Sequence, residues 1–251
     1  RTIMIQSLVK ASNILEFMKP VNKEYTIAEI SEGVDIPPST THRILNTLIG
    51  CDYVMKDERT HLYKLGPGLI SLGIAATSNI DLQEDAYPIL KALSKVTEED
   101  AFLMIKSGNK GLVIAKAEGP HSLKVVEHFG LEIPLHMGAI RKVLLAFQPE
   151  KYIDFYLNEK LTPYINGGVP DKEKLREELK HIKETNISIS TSEYIKNGGG
   201  IAAPVFDYKK DIVASIGIIA PSYRITPDNQ EELVKQVSYY ANELSKKLGY
   251  Y

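Results

Sequence analysis

The chain has 251 residues, 43% of them hydrophobic and 25% charged, with 30 Lys and Arg against 32 Asp and Glu. That size and balance suit one large or two modest globular domains and exclude a disordered or fibrous chain. A net charge of −2 gives no overall basicity of the kind that advertises nucleic acid, and the single cysteine, Cys51, excludes an internal disulfide framework and a cysteine metal cage. No apolar run approaches the roughly 20 residues of a membrane span, so no membrane partner is expected. Arg1 to Lys10 lacks the apolar core of a signal peptide. Together with the lone thiol, this points to the reducing cytoplasm.

Leu8, Ala11, Ile14, Leu15 and Met18 recur at helical spacing and predict a first helix, stopped at Pro20 and Asn22. Thr26 with Glu29 three residues on is a capping box, and Gly33 ends the short helix it opens. Pro37-Pro38 suits the start of a third helix, about Ser39 to Ile49, because a proline there loses no needed N–H. Tyr53–Met55 and Leu62–Leu65 then read as two strands joined by the polar Asp57–His61 turn.

Gly66-Pro67-Gly68 punctuates the chain, and Leu69, Leu72, Ala76 and Ile80 form an apolar stripe on a linker helix. Asp81 caps another helix through Val96. Phe102–Ile105, Leu112–Ala117 and Leu123–His128 are strand candidates; Ala139–Phe147 and the charge-dense Asp171–Thr185 are helices. Ile187–Ser190, Ala202–Phe206 and Ile212–Ile219 are strands again, and Asn229–Lys247 closes the chain as an amphipathic helix. The whole reads as α+β. Residues 1–66 form a mainly α winged helix-turn-helix, 67–80 a linker helix, and 81–251 an α+β domain around a largely antiparallel sheet.

The third helix carries the first functional argument. At about 100° per residue, Ile44, Leu45 and Leu48 cluster on one side, while Ser39, His42, Arg43 and Asn46 point roughly the other way. A guanidinium pairs bidentately with guanine and a carboxamide with adenine, and nothing acidic shares that face to repel phosphate. The hairpin tip adds Arg59 and His61, with Lys56 and Lys64 on its strands. Against this, residues 1–66 hold eight Lys/Arg and eight Asp/Glu, so any positive field must be local. An ordinary three-helix bundle with a polar surface is the bland alternative.

Here the residues reach a known family. Ile36-Pro37-Pro38-Ser39-Thr40-Thr41-His42-Arg43-Ile44-Leu45-Asn46-Thr47-Leu48 resembles the recognition-helix signature of IclR-type regulators, L-P-K-S-T-x-H-R-L-L-x-T-L. Tyr53-Val54 with Tyr63-Lys64-Leu65-Gly66 looks like that family's wing. Pro134-Leu135-His136 with Lys142 and Leu145-Ala146 is similar to its P-L-H-x-x-A-x-G-K-x-x-L-A. Glu193 followed by Ala202-Ala203-Pro204-Val205-Phe206-Asp207 is similar to its E-x-x-x-G…A-A-P-V-F-D. The resemblance implies a transcriptional regulator with double-stranded operator DNA as partner and Ser39, Thr40, His42, Arg43, Asn46, Arg59 and His61 at the DNA. It further implies a linker helix used in dimerisation, a GAF-like effector domain, and a homodimer or homotetramer that represses or activates genes. Two departures stand out. The usual Lys before Ser-Thr is Pro38, which removes a phosphate contact, and the usual Gly before Tyr53 is Asp52, which must take a helix-ending conformation that suits glycine better.

The resemblance places the effector pocket at Ala139 and Ile140, at Ser190, Gly198 and Gly200, and at Gly217 and Ile219. Gly217 and Ile219 replace residues that are often small and hydroxylated in relatives, so the pocket is less polar, and Gly198-Gly199-Gly200 makes it roomier. Arg141 stands where the family usually has Gly, and Gly138 where it has Thr or Ser. Arg141 either enters the site or faces solvent, and the three glycines either border the pocket or form a flexible turn. The expected effector is a small, partly apolar compound, an organic acid by class, held by backbone amides at the glycines with Ser190, and with Arg141 or Lys142 for charge.

No catalytic residues, cofactor or metal are expected. The chain has no G-x-S-x-G, H-E-x-x-H or P-loop. His121, His128 and His136 lack the cysteines or tight pairing of a metal site, and Glu127, Glu132 and Glu193 are the carboxylates nearest the pocket. Two rival classes remain: an enzyme built on the second domain, and a DNA-binding protein whose second domain only oligomerises. Ligand-dependent DNA affinity separates a sensor from the latter, and turnover separates both from an enzyme.

Overall fold

The computed structural model describes residues 4–20, 23–78, 82–125, 130 and 132–250, and the chain divides into two compact units, Arg1–Ile80 and Asp81–Tyr251. Asn22, Ile80, Asp81, Glu127 and His128, each named above, lie outside the described residues.

In the first unit, α1 (Gln6–Phe17), α2 (Ile27–Gly33) and α3 (Pro38–Gly50) precede a hairpin of β1 (Val54–Lys56) and β2 (Tyr63–Leu65). The capping box at α2 is formed: Thr26 Oγ1 accepts from the Glu29 amide at 3.2 Å and the Glu29 carboxylate accepts from the Thr26 amide at 2.7 Å. Ile14, Ile30 and Leu45 from the three helices meet Val54 and Tyr63 of the hairpin in one core. Tyr25 exchanges two backbone hydrogen bonds with Tyr63, which ties the approach to α2 to the hairpin. Asp52 is left-handed, with φ 58°. The Tyr53 amide reaches back to Leu48 O and the Asp52 amide to Ile49 O, both at 2.9 Å, so α3 ends in a Schellman motif with aspartate where glycine is usual. Helix α4 (Gly68–Ser78) closes the described part of this unit.

The second unit is a six-stranded antiparallel sheet in the order β5-β4-β3-β8-β7-β6. Its strands are β3 (Asp100–Ser107), β4 (Lys110–Ala117), β5 (Ile133–Pro134), β6 (Ser188–Thr191), β7 (Gly198–Phe206) and β8 (Ile212–Pro221). Helices α5 (Leu82–Thr97) and α9 (Pro227–Lys247) pack on each other and on the sheet. Helices α6 (Ala139–Ala146), α7 (Glu150–Asn158) and α8 (Lys172–Thr185) join a separate core with Phe102, Met104 and Ala202. Side chains alternate across a sheet, so Leu103 and Ile201 serve the opposite face.

Two sequence expectations need correction, and one helix was not expected. The expected strand Leu123–His128 is not one over its described part: Arg224 donates twice to Leu123 O, and Lys124 pairs with Asp100 and Glu118, so side chains hold this segment instead of a ladder. Gly198–Gly200 is no turn but the start of β7, paired with β6 through Thr191↔Gly199 and with β8 through Gly200↔Ile219. Helix α7 has no counterpart in the sequence expectation, although Ile153, Tyr156 and Leu157 form its buried side.

Candidate functional sites

Helix α3 starts on Pro38 at its first turn. Thr41 is buried, and its hydroxyl bonds the Ile36 and Pro37 carbonyls at 3.2 Å, which locks the turn before the helix. Ser39, His42, Arg43 and Asn46 are exposed and Thr40 is half-buried. His42 Nδ1 and Asn46 Nδ2 lie 3.5 Å apart, one helical turn from each other. Arg59 and His61 are exposed at the hairpin tip. The Asp57 carboxylate shapes that tip by accepting from the Arg59 and Thr60 amides at 2.8 and 2.9 Å, and His61 closes it with φ 58°.

The second site is a narrow, half-open cleft at the start of α6. Ala139, Ile140, Arg141, Ser190, Gly198, Gly200 and Ile219 are brought together there, joined by Gly138, Gly199, Glu193, Tyr194 and Ile195. Gly217 does not line it. A Cβ on Gly217 would lie 2.4 Å from Ile201 O and 2.8 Å from Ala202 Cβ, so glycine is needed there for strand packing. The glycine amides are committed to β6, β8 and the Gly198–Ile195 turn bond, and are not the open donors expected from sequence. The amides at the start of α6 also border the cleft, and side chains of the cleft take two of them: Gly138 donates to Glu193 Oε2 at 2.9 Å and Ala139 to Ser190 Oγ at 2.8 Å, with the Ile140 amide next along the first turn. Ser215 on β8 pins this turn by donating to Ile140 O at 2.7 Å.

Arg141 is only 2% exposed, which decides its orientation: the guanidinium carbon lies 4.7 Å from the Tyr194 ring centroid, in the cleft wall rather than in solvent. Lys142 is fully buried and its charge is consumed locally, by Glu193 at 2.6 Å and by Glu178. His136 is buried as well, and burial holds its imidazole below the usual range. Its Nε2 meets the Thr162 carbonyl at 2.9 Å, so this nitrogen carries the proton and Nδ1 accepts from Tyr156 Oη at 2.7 Å. Among the described residues no three His, Cys, Asp or Glu side chains gather as a metal site, and no helix is long and apolar enough to cross a membrane. Sequence reasoning did not reach the cleft roles of Tyr194, Ile195 and Ser215. Their only signal is nearness to the Glu193 motif or alternation in a strand.

Comparison with known proteins places these sites in context. The family model for the bacterial transcriptional regulator IclR C-terminal domain matches residues 74–246, and that for the IclR helix-turn-helix domain matches residues 7–58. The HTH-type transcriptional repressor AllR of Klebsiella pneumoniae is 28% identical over 248 residues, covering 97% of this chain and 90% of the relative. An IclR transcriptional regulator from Alicyclobacillus acidocaldarius superposes with a TM-score of 0.85 at 24% identity, over 97% of this chain and 99% of the other. An IclR homologue from Microbacterium hydrocarbonoxydans complexed with 4-hydroxybenzoate superposes with a TM-score of 0.82 at 18% identity, over 96% and 98%.

Proposed function

The chain belongs to the IclR family of bacterial transcriptional regulators, and from that premise we propose how its own residues read DNA and sense a ligand. It is a DNA-binding regulator with an effector-binding C-terminal domain, and neither domain match is to an enzyme. Residues 1–66 are its DNA-binding domain, 67–80 its linker and 81–251 its sensor. The observation that carries the DNA reading is the exposed, carboxylate-free side of α3 bearing Ser39, His42 and Asn46. The wing residues Arg59 and His61 reach the adjacent backbone.

The protein acts in the cytoplasm as a homodimer or homotetramer. Support for assembly comes from α4, which is apolar nearly all round and leaves Ile70 and Leu72 exposed; such a helix wants a partner, and a second copy supplies one symmetrically. The effector is a small organic acid bound where Ile140, Ser190, Gly200 and Ile219 meet. A carboxylate suits the Ile140 amide at the positive end of α6 and the Arg141 guanidinium nearby. The 4-hydroxybenzoate held by the Microbacterium homologue sets the size class to screen. Binding acts by favouring one placement of the paired DNA-binding domains, since a ligand that bound both placements equally would switch nothing. The test is operator affinity measured by fluorescence anisotropy with and without each acid that raises the melting temperature. A change of fivefold or more with any acid supports the reading, and constant affinity with every stabilising acid contradicts it.

A further inference from the structure

The DNA-binding unit is electrically neutral overall, which poses the question of where phosphate is held. Most of its lysines are already engaged. Lys19 lies 2.7 Å from Glu16, Lys64 lies 3.2 Å from Glu24, and Lys23 Nζ stands 4.6 Å from the Tyr25 ring centroid. A groove between α1 and α3 differs. It is lined by Ser7, Lys10, Thr40, Arg43, Ile44 and Thr47, which makes two cations, three hydroxyls and no carboxylate. Among the described residues, neither Lys10 nor Arg43 is in a salt bridge with an acid.

We propose that this groove seats one phosphodiester of the DNA backbone, clamped between Lys10 of α1 and Arg43 of α3. The inference rests on the reading that α3 lies on DNA. At about 100° per residue, Asn46 and His42 fall to one side of Ser39, whereas Arg43, Thr47 and Thr40 fall to the other, toward α1. Arg43 therefore belongs with the backbone contacts, and sequence is read by Ser39, His42 and Asn46. A guanidinium fork matches two phosphate oxygens, a lysine adds a point charge, and the Ser7 and Thr40 hydroxyls can donate. Pro38 at the start of α3 can donate nothing, so Lys10 provides from α1 the cation that the first turn of α3 lacks.

The test uses the intact protein, a duplex selected from a random-sequence library, and a scrambled duplex of equal length. Anisotropy titrations across a salt series are made for the parent, Lys10→Ala, Lys10→Arg, Arg43→Ala and Asn46→Ala, with melting curves to establish folding. A phosphate contact is blind to sequence. Lys10→Ala and Arg43→Ala should each weaken both duplexes by the same factor and lower the slope of log K against log salt by about 0.9 per bound protomer. Lys10→Arg should restore both quantities, and Asn46→Ala should lose the selected duplex alone. Parent-like slopes for Lys10→Ala, or an Arg43→Ala loss confined to the selected duplex, overturn the phosphate seat while leaving α3 as the reader. If Asn46→Ala also binds the selected duplex as the parent does, the α3 reading falls and the phosphate seat with it.

Discussion

Lys142 Nζ lies 2.6 Å from Glu193 Oε1, and the other Glu193 oxygen accepts the Gly138 amide at 2.9 Å, so one carboxylate both neutralises a fully buried ammonium and caps the helix that carries it. Glu178 completes the charge balance from α8. Removing one partner of a buried ion pair leaves an uncompensated charge and costs about 3–5 kcal/mol. Lys142→Met should fall near the lower figure, because Glu178 and Glu193 both retain some contact with water. Urea unfolding measures it, and a loss under 1 kcal/mol would show that the triad does not hold the start of α6.

Protonation of the same region sets a pH dependence. Burial lowers the His136 pKa below its ordinary 6.5, so the folded state refuses a proton that the unfolded chain accepts. Stability is therefore lost as pH falls below 6.5. The opposite limb comes from Tyr156 and Tyr164, whose pKa values burial pushes up to about 12; the unfolded phenols ionise first, so stability also falls as pH rises from 10 toward 12. His136→Gln should flatten the acid limb alone. An acid limb as steep as the parent's would assign the effect to other groups.

The helix-turn-helix was legible because its signals are local. Thr26 with Glu29, Pro37-Pro38 and the polar Asp57–His61 turn each act within a few residues. The second unit was harder to read where distant groups decide. Glycine is depleted in strands, yet Gly200 lies within β7 because its backbone pairs with Ser190 of β6 on one side and Ile219 of β8 on the other, partners distant from it in sequence or set by the sheet. Leu123 looks like strand, but Arg224, far along the chain, takes its carbonyl. Arg141 left two orientations open, and only the packing of Gly111 and Tyr194 around it selects the buried one.

Assembly is tested at Leu72, which is 50% exposed on α4. Leu72→Lys should shift sedimentation toward monomer and weaken operator binding together, since a second copy no longer covers the helix. Ala76, whose side chain is not described, and Ile80, outside the described residues, belong to the same expected stripe. Unchanged sedimentation with unchanged operator affinity would remove α4 from the interface.

The cleft is tested at Gly200, whose missing Cβ faces Ala139 and Ser190. Gly200→Val should narrow the site and abolish stabilisation by a ligand identified in a thermal-shift screen of small organic acids. At 100 times its dissociation constant, that ligand should add about 2.7 kcal/mol to the parent. Operator affinity without ligand should stay near the parent's. A full ligand response by the variant would place the effector elsewhere.

The central claim is that α3 reads a specific DNA sequence for a regulator acting as a symmetric oligomer. Selection of bound duplexes from a random library, followed by titration of the selected site with the parent and with Asn46→Ala, tests it most directly. The account predicts an inverted repeat with half-sites one helical turn or a multiple apart. It also predicts a loss of about 1–3 kcal/mol for Asn46→Ala on that site and little loss on scrambled DNA. A selected pool with no shared sequence, or an Asn46→Ala variant that binds the site as the parent does, would contradict it.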